Sequence, residues 1–213
     1  MVWRGRVEAA QPISDRAAGG AALDAVGLDQ IQRSARVPRF FAVIMSSNSA
    51  VPDDAELAEL AGALGRRLIA LKQTLVCAES CTGGWIAKVA TDSAGASEWF
   101  ESGMVAYSYE AKQALLGVHP ETVIRHGAVS EATVLEMVSG ALTRSGAAIA
   151  VAVTGVAGPG GGTADKPVGT VWLAWKRRGG YPLMRCFHFD GDREAIRRQT
   201  VRAAFDGLQK LLT

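Results

Sequence analysis

Residues 74–84 read Thr-Leu-Val-Cys-Ala-Glu-Ser-Cys-Thr-Gly-Gly. The first five form a short apolar run of strand length, and the glycines begin a turn into a helix over 81–93. A second run, Ile-Ala-Val-Ala-Val at 149–153, is apolar at every position and opens onto a Gly-rich loop at 155–162. Strands of this kind are buried on both faces, so helices must cover the sheet on each side. The expected fold is α/β: a three-layer α/β/α sandwich around a mixed sheet of about five strands.

The flanking segments supply the other elements. Asp53 with Glu56 three residues later is a capping box. Leu57, Leu60, Ala61, Leu64, Leu68 and Leu71 fall on one face of the helix it opens. Residues 104–107 predict a strand, followed by a helix to about Leu116. Ser130 is the N-cap of another helix, with Glu131 in its first turn and Val134, Leu135, Val138, Ala141 and Leu142 as its apolar stripe. Residues 169–175 and 184–189 are strands joined across Gly179-Gly180, close enough to form an antiparallel pair. Asp192 opens the last helix, with Val201, Ala204, Phe205, Leu208, Leu211 and Leu212 facing inward.

The 213 residues are 48% hydrophobic and 21% charged, enough apolar material for one core. Residues 1–52 carry six arginines against four acids and no sustained period, leaving a body of 17 basic and 17 acidic residues. A neutral body does not suit displacement of phosphate counterions, so nucleic acid is not an expected partner. Met45 followed by SSNSAVPDD resembles an ordinary protein start. The expectation is a poorly ordered extension over 1–52, of which 1–44 is dispensable, and one domain over 53–213. Cys77, Cys81 and Cys186 form no CxxC pair, which suits reduced thiols and no structural zinc. No run has the length of a membrane span and 40–44 is too short for a signal core, so a cytoplasmic location is expected.

The junction at 77–84 is also where chemistry is expected. A strand-to-helix turn places Ser80 at the sheet edge and aims free backbone N–H groups outward. A serine held there is a candidate nucleophile with an adjacent oxyanion site; Ser80 or Thr82 as a plain helix cap is the competing reading. His119, His126 and His188 lie in no triad-like motif. The other candidate base is Lys112, made neutral by burial, on the helix after the strand that Tyr107 ends; an exposed helix lysine is its plainer role. The loop Thr154-Gly155-Val156-Ala157-Gly158-Pro159-Gly160-Gly161-Gly162 allows a phosphate or sugar to approach the backbone, or is simply a flexible connection. Arg193, Arg197 and Arg198 open the final helix, where one can hold a phosphate. No metal-ligand pattern and no cofactor motif is present in the sequence.

AESCTGG at 78–84, GAS at 95–97, Tyr107-Ser108 with Lys112, GAVSE at 127–131, TGVAGPGGG at 154–162, KPVGTV at 166–171 and GDR at 191–193 follow in order. Over about residues 54–213 the chain resembles the CinA C-terminal family. The resemblance implies hydrolysis of the carboxamide of nicotinamide mononucleotide to nicotinate mononucleotide and ammonia, by a serine/lysine mechanism without metal. It implies catalytic roles for Ser80, Lys112, Tyr107 and Ser97, with Ser80 and Ser97 both open as the nucleophile. Substrate would lie against Thr82, Gly83, Thr154, Gly158, Gly160 and Arg193. A homo-oligomer acting on a small-molecule nucleotide is implied, with a non-catalytic nucleotide-binding or regulatory module, linked to competence or DNA damage, as the alternative.

Overall fold

Alternation along the central strands sets the layers. The computed structural model describes residues 50–213 and the backbone of Met45 and Ser46. Its strands are β1 (Met45–Ser46), β2 (Leu75–Glu79), β3 (Phe100–Val105), β4 (Ile149–Gly155), β5 (Thr170–Arg177) and β6 (Leu183–His188). Its helices are α1 (Asp54–Ala70), α2 (Trp85–Thr91), α3 (Tyr109–Leu116), α4 (Pro120–His126), α5 (Glu131–Thr143) and α6 (Arg193–Leu211). The sheet order is β1-β6-β5-β4-β2-β3. β3, β2 and β4 are parallel, and β5 runs antiparallel to both β4 and β6. The two-residue β1 lies parallel on β6, beyond the five-stranded mixed sheet that the sequence predicts. The rest of the expected extension, residues 1–44 and 47–49, lies outside the described residues.

Leu75, Cys77, Ile149, Val151, Val153, Leu173 and Trp175 face one way and meet α1, α2 and α6. Val76, Ala78, Ala150, Ala152 and Ala174 face the other way and meet α3, α4 and α5. The second face is built from small residues, so its helices approach closely. A Cβ on Gly140 of α5 would collide with the Leu116 carbonyl oxygen at the end of α3. On the first face, Gly207 of α6 sits against the Trp175 ring, whose Nε1 donates to the Ala204 carbonyl at 2.9 Å. The capping box at Asp53 and Glu56 is present, and Ser130 and Asp192 cap α5 and α6.

Several boundaries differ from the expected ones. α2 begins at Trp85, because residues 81–84 form a turn. β3 begins at Phe100 and ends at Val105, so Tyr107 lies beyond it. Leu71 follows α1 as its C-cap and is exposed. The segment 120–126, for which the sequence predicts no element, is helical: Pro120 stands in its first turn and Gly127 closes it. No described helix is long and apolar enough to cross a membrane.

Candidate active site

The parallel strands β2 and β4 end side by side, and this edge holds most of the expected site. The Ser80 N–H donates to the Val153 carbonyl at 3.1 Å, which brings Ser80 next to Thr154. The chain then folds into a β-turn closed by Gly83 N–H to the Ser80 carbonyl at 3.1 Å. Gly83 and Gly84 both take positive φ, +61° and +94°, where a side chain would be strained. The N–H groups of Cys81 and Thr82, the central residues of the turn, donate to no acceptor among the described residues. The expected stretch of free donors, 81–84, thus narrows to two, because Gly83 closes the turn and Gly84 donates to Glu79.

Lys112 reaches this edge from the first turns of α3, on the opposite sheet face from α2. Its side chain is 1% exposed. Nζ lies 2.9 Å from Ser80 Oγ, 2.8 Å from the Ala106 carbonyl and 3.0 Å from the Tyr107 carbonyl. No carboxylate pairs with it among the described residues. Burial lowers its pKa from 10.5 to about 8, with the Cys81 thiol a lesser influence in the other direction. As an ammonium, Nζ donates to all three oxygens; once it loses a proton, two N–H groups can keep the carbonyls while the lone pair faces the Ser80 hydroxyl. The exposed-lysine reading of Lys112 does not hold.

The neighbouring residues narrow the chemistry further. Cys81 is buried and its thiol is pushed up to about 12, so it stays protonated beside Ser80. His119 and His126 are exposed, and His188 Nε2 lies 3.3 Å from Thr170 Oγ1; none of the three bonds Ser80. Thr154 is buried, and its hydroxyl donates to the Ala128 carbonyl at 2.8 Å. Tyr107 is exposed, with its hydroxyl 3.3 Å from Arg193 Nη2, while Arg193 Nη1 donates to the Gly158 carbonyl at 2.7 Å. Arg193 thereby links the Tyr107 segment to the Gly-rich loop, in which Gly160 is open to solvent.

Ser97 stands elsewhere. It is exposed, in a 3-10 turn just before β3, and the Trp99 carbonyl accepts from Leu75 N–H at the start of β2. Ser80 follows the end of β2, so the length of a strand, roughly 17 Å at five residues, separates the two serines.

An open cleft of about 600 Å³ borders the Gly83-Gly84 turn and is lined by Trp85, Lys88, Arg193, Arg197 and neighbouring residues. Arg197 Nη2 donates to the Thr82 carbonyl at 2.6 Å, and its guanidinium lies 4.8 Å from the Trp85 ring centroid. Arg198 is tied to Asp54 and Glu194, whereas no acid pairs with Arg193 or Arg197 among the described residues. The cleft therefore offers two uncompensated guanidinium groups to an anion.

Glu79 has no role among the sequence expectations. It is wholly buried, and its carboxylate accepts from the N–H groups of Gly84, Ile86 and Ala87 at 3.0, 3.1 and 2.8 Å. The signal was present in outline: an acid at a strand end, one turn before a helix start, can serve as that helix's cap.

Comparison with known proteins agrees with this fold. The family model described as the CinA C-terminal domain matches residues 57–212. Nicotinamide-nucleotide amidohydrolase PncC of Escherichia coli K12 is 51% identical over 155 residues, covering 73% of this chain and 94% of that protein. The protein of the same name from Pseudomonas putida is 54% identical, covering 72% of this chain and 96% of its own length. Among solved structures, the competence/damage inducible protein CihA from Agrobacterium tumefaciens superposes with a TM-score of 0.73 at 46% identity, covering 78% of this chain and 99% of that one.

Proposed function

Since the chain belongs to the CinA C-terminal domain family, we propose that it hydrolyses the carboxamide of nicotinamide mononucleotide to nicotinate mononucleotide and ammonia, in pyridine nucleotide salvage. The observation that carries this reading is the 2.9 Å approach of a buried, unpaired amine to the Ser80 hydroxyl. The high identity to proteins named for that reaction supplies the substrate.

Neutral Lys112 takes the Ser80 proton as Oγ attacks the carboxamide carbon. The resulting ammonium is held by the Ala106 and Tyr107 carbonyls. The N–H groups of Cys81 and Thr82 stabilise the oxyanion. Lys112 then gives its proton to the departing amine as the C–N bond breaks, leaving ammonia and an acyl-serine. Water attacks the ester with Lys112 again as base, and the proton returns to Ser80 as nicotinate mononucleotide leaves. Ser80 is the nucleophile in this scheme, because Lys112 contacts it and Ser97 lies a strand away. Arg193 and Arg197 anchor the phosphate in the cleft, with Thr154 and the Gly158–Gly160 segment beside the ribose. Such remote binding favours the nucleotide over free nicotinamide.

Ammonia release from nicotinamide mononucleotide tests the proposal. Purified protein should release ammonia and Ser80→Ala should lose at least ~10³-fold in kcat. An inert wild type would turn the reading toward a non-catalytic binding module. Undiminished activity in Ser80→Ala would move the nucleophile elsewhere.

A further inference from the structure

The Ser80–Gly83 turn is short, runs into two consecutive positive-φ glycines, Gly83 and Gly84, and must hold two N–H groups still while charge develops beside Ser80. Glycine-rich turns do not hold such a shape unaided. A carboxylate lies at the root of this one. Glu79 is the last residue of β2, is 0% exposed, and bonds no basic side chain among the described residues. One oxygen accepts from Gly84 and Ile86, at 3.0 and 3.1 Å. The other accepts from Ala87 at 2.8 Å and from the Cys77 thiol at 3.4 Å. Every N–H that it binds lies on the far side of the turn from Glu79 itself. The carboxylate thus clamps the start of α2 to the end of β2, and the four residues between have their ends fixed.

We propose that Glu79 is a positioning residue for the reaction: by binding the Gly84, Ile86 and Ala87 N–H groups it sets the Ser80 turn so that the Cys81 and Thr82 N–H groups meet the oxyanion. A wholly buried anion without a basic partner is costly unless its donors are fixed. The arrangement therefore resists any movement that would lose one of them. Both oxygens are needed as acceptors. Glutamine offers one oxygen and presents an NH₂ to the remaining N–H groups. Aspartate keeps the charge but is one methylene short of spanning from β2 to both Gly84 and Ala87.

The proposal rests on the amidohydrolase reading, and kinetics of Glu79→Gln, Glu79→Asp and a remote control separate the two. The control is Arg178→Ala. Arg178 holds the Leu142, Ser145 and Ala147 carbonyls before β4, at the far end of the sheet. Measured well below each variant's melting temperature, Glu79→Gln should lose about 10–100-fold in kcat with KM within twofold, as expected for a displaced oxyanion donor. Phosphonylation of Ser80 by a fluorophosphonate, which also places an oxygen at the oxyanion position, should slow by a similar factor. Arg178→Ala should lose stability and keep both rates. Wild-type kcat in Glu79→Gln, or a loss no larger than in the control, would overturn the proposal. If Glu79→Gln does not fold, Glu79→Asp decides: it should show the same fall in kcat at unchanged KM, and wild-type kcat would overturn the role. A wild type inert toward nicotinamide mononucleotide defeats the substrate reading instead, and the phosphonylation rates still test Glu79.

Discussion

Lys112 shows what a single burial does. Its amine sits among two carbonyls and a hydroxyl with no counter-charge, and burial lowers its pKa to about 8. A general base must be neutral, so kcat/KM for the nucleotide should rise with pH through a midpoint near 8 and then level off. A profile already flat from pH 6 would remove Lys112 as the base. The same shift has a consequence for stability. Well below pH 8 the lysine is protonated in both states. Between about 8 and 10.5 the unfolded chain keeps a proton that the folded chain has released, so folding becomes more favourable as pH rises through that window. Relative to Lys112→Met, the wild type should gain about 1–2 kcal/mol between pH 7.5 and 9.5, measured by urea unfolding at each pH. Lys112 and Ser80 were legible as types in the right order along the chain. Their contact was not, because it depends on how far α3 and β2 bring residues 32 positions apart together. Glu79 was legible only as an acid one turn before a helix start; its partners are backbone groups whose positions depend on how the turn folds.

At the scale of the elements, packing decides where the sequence signal ends. The apolar runs of β2 and β4, the capping box at Asp53 and the N-caps Ser130 and Asp192 were readable because they depend on neighbours within a few positions. β3 was placed late because, as an edge strand, it alternates in exposure and begins with Phe-Glu-Ser-Gly rather than an apolar run. α4 has one fully buried side chain, Val123, too little to establish a period over seven residues. The helix that carries Lys112 depends in turn on its neighbour. Gly140 of α5 touches the Leu116 carbonyl, and backbone cannot withdraw as a flexible side chain can. Gly140→Ala should therefore push α3 away, costing about 1–3 kcal/mol in urea unfolding and lowering kcat as Nζ leaves Ser80. The analogous clash at Gly207 meets the Trp175 ring on the other face. Gly207→Ala should destabilise by a similar amount and act on KM, because α6 carries Arg193 and Arg197. Equal effects of the two variants on kcat and KM would show that the layers do not act separately.

Across the whole molecule, the sheet order separates β1 from the candidate site. β1 lies at one edge, on β6, while Ser80 and Lys112 meet near the other, beyond the ends of β2 and β3, with β5 and β4 between. Only two backbone residues of β1 join the sheet, and the capping box that starts α1 is complete from Asp53 onward. Between β1 and α1, the Pro52 carbonyl accepts from Arg198 at 3.4 Å. A chain beginning at Met45 should therefore keep the full kcat and melting temperature, which would make residues 1–44 dispensable for the reaction. A chain beginning at Val51 removes β1 and uncovers the outer edge of β6. It should melt a few degrees lower, since a 1 kcal/mol loss moves Tm by roughly 2–8 °C in domains of this size range, yet turn over nicotinamide mononucleotide as fast per folded molecule. A fall in kcat on removing residues 1–44 would mean that the first segment reaches the site, and the boundary of the catalytic unit would then have to move upstream of Met45.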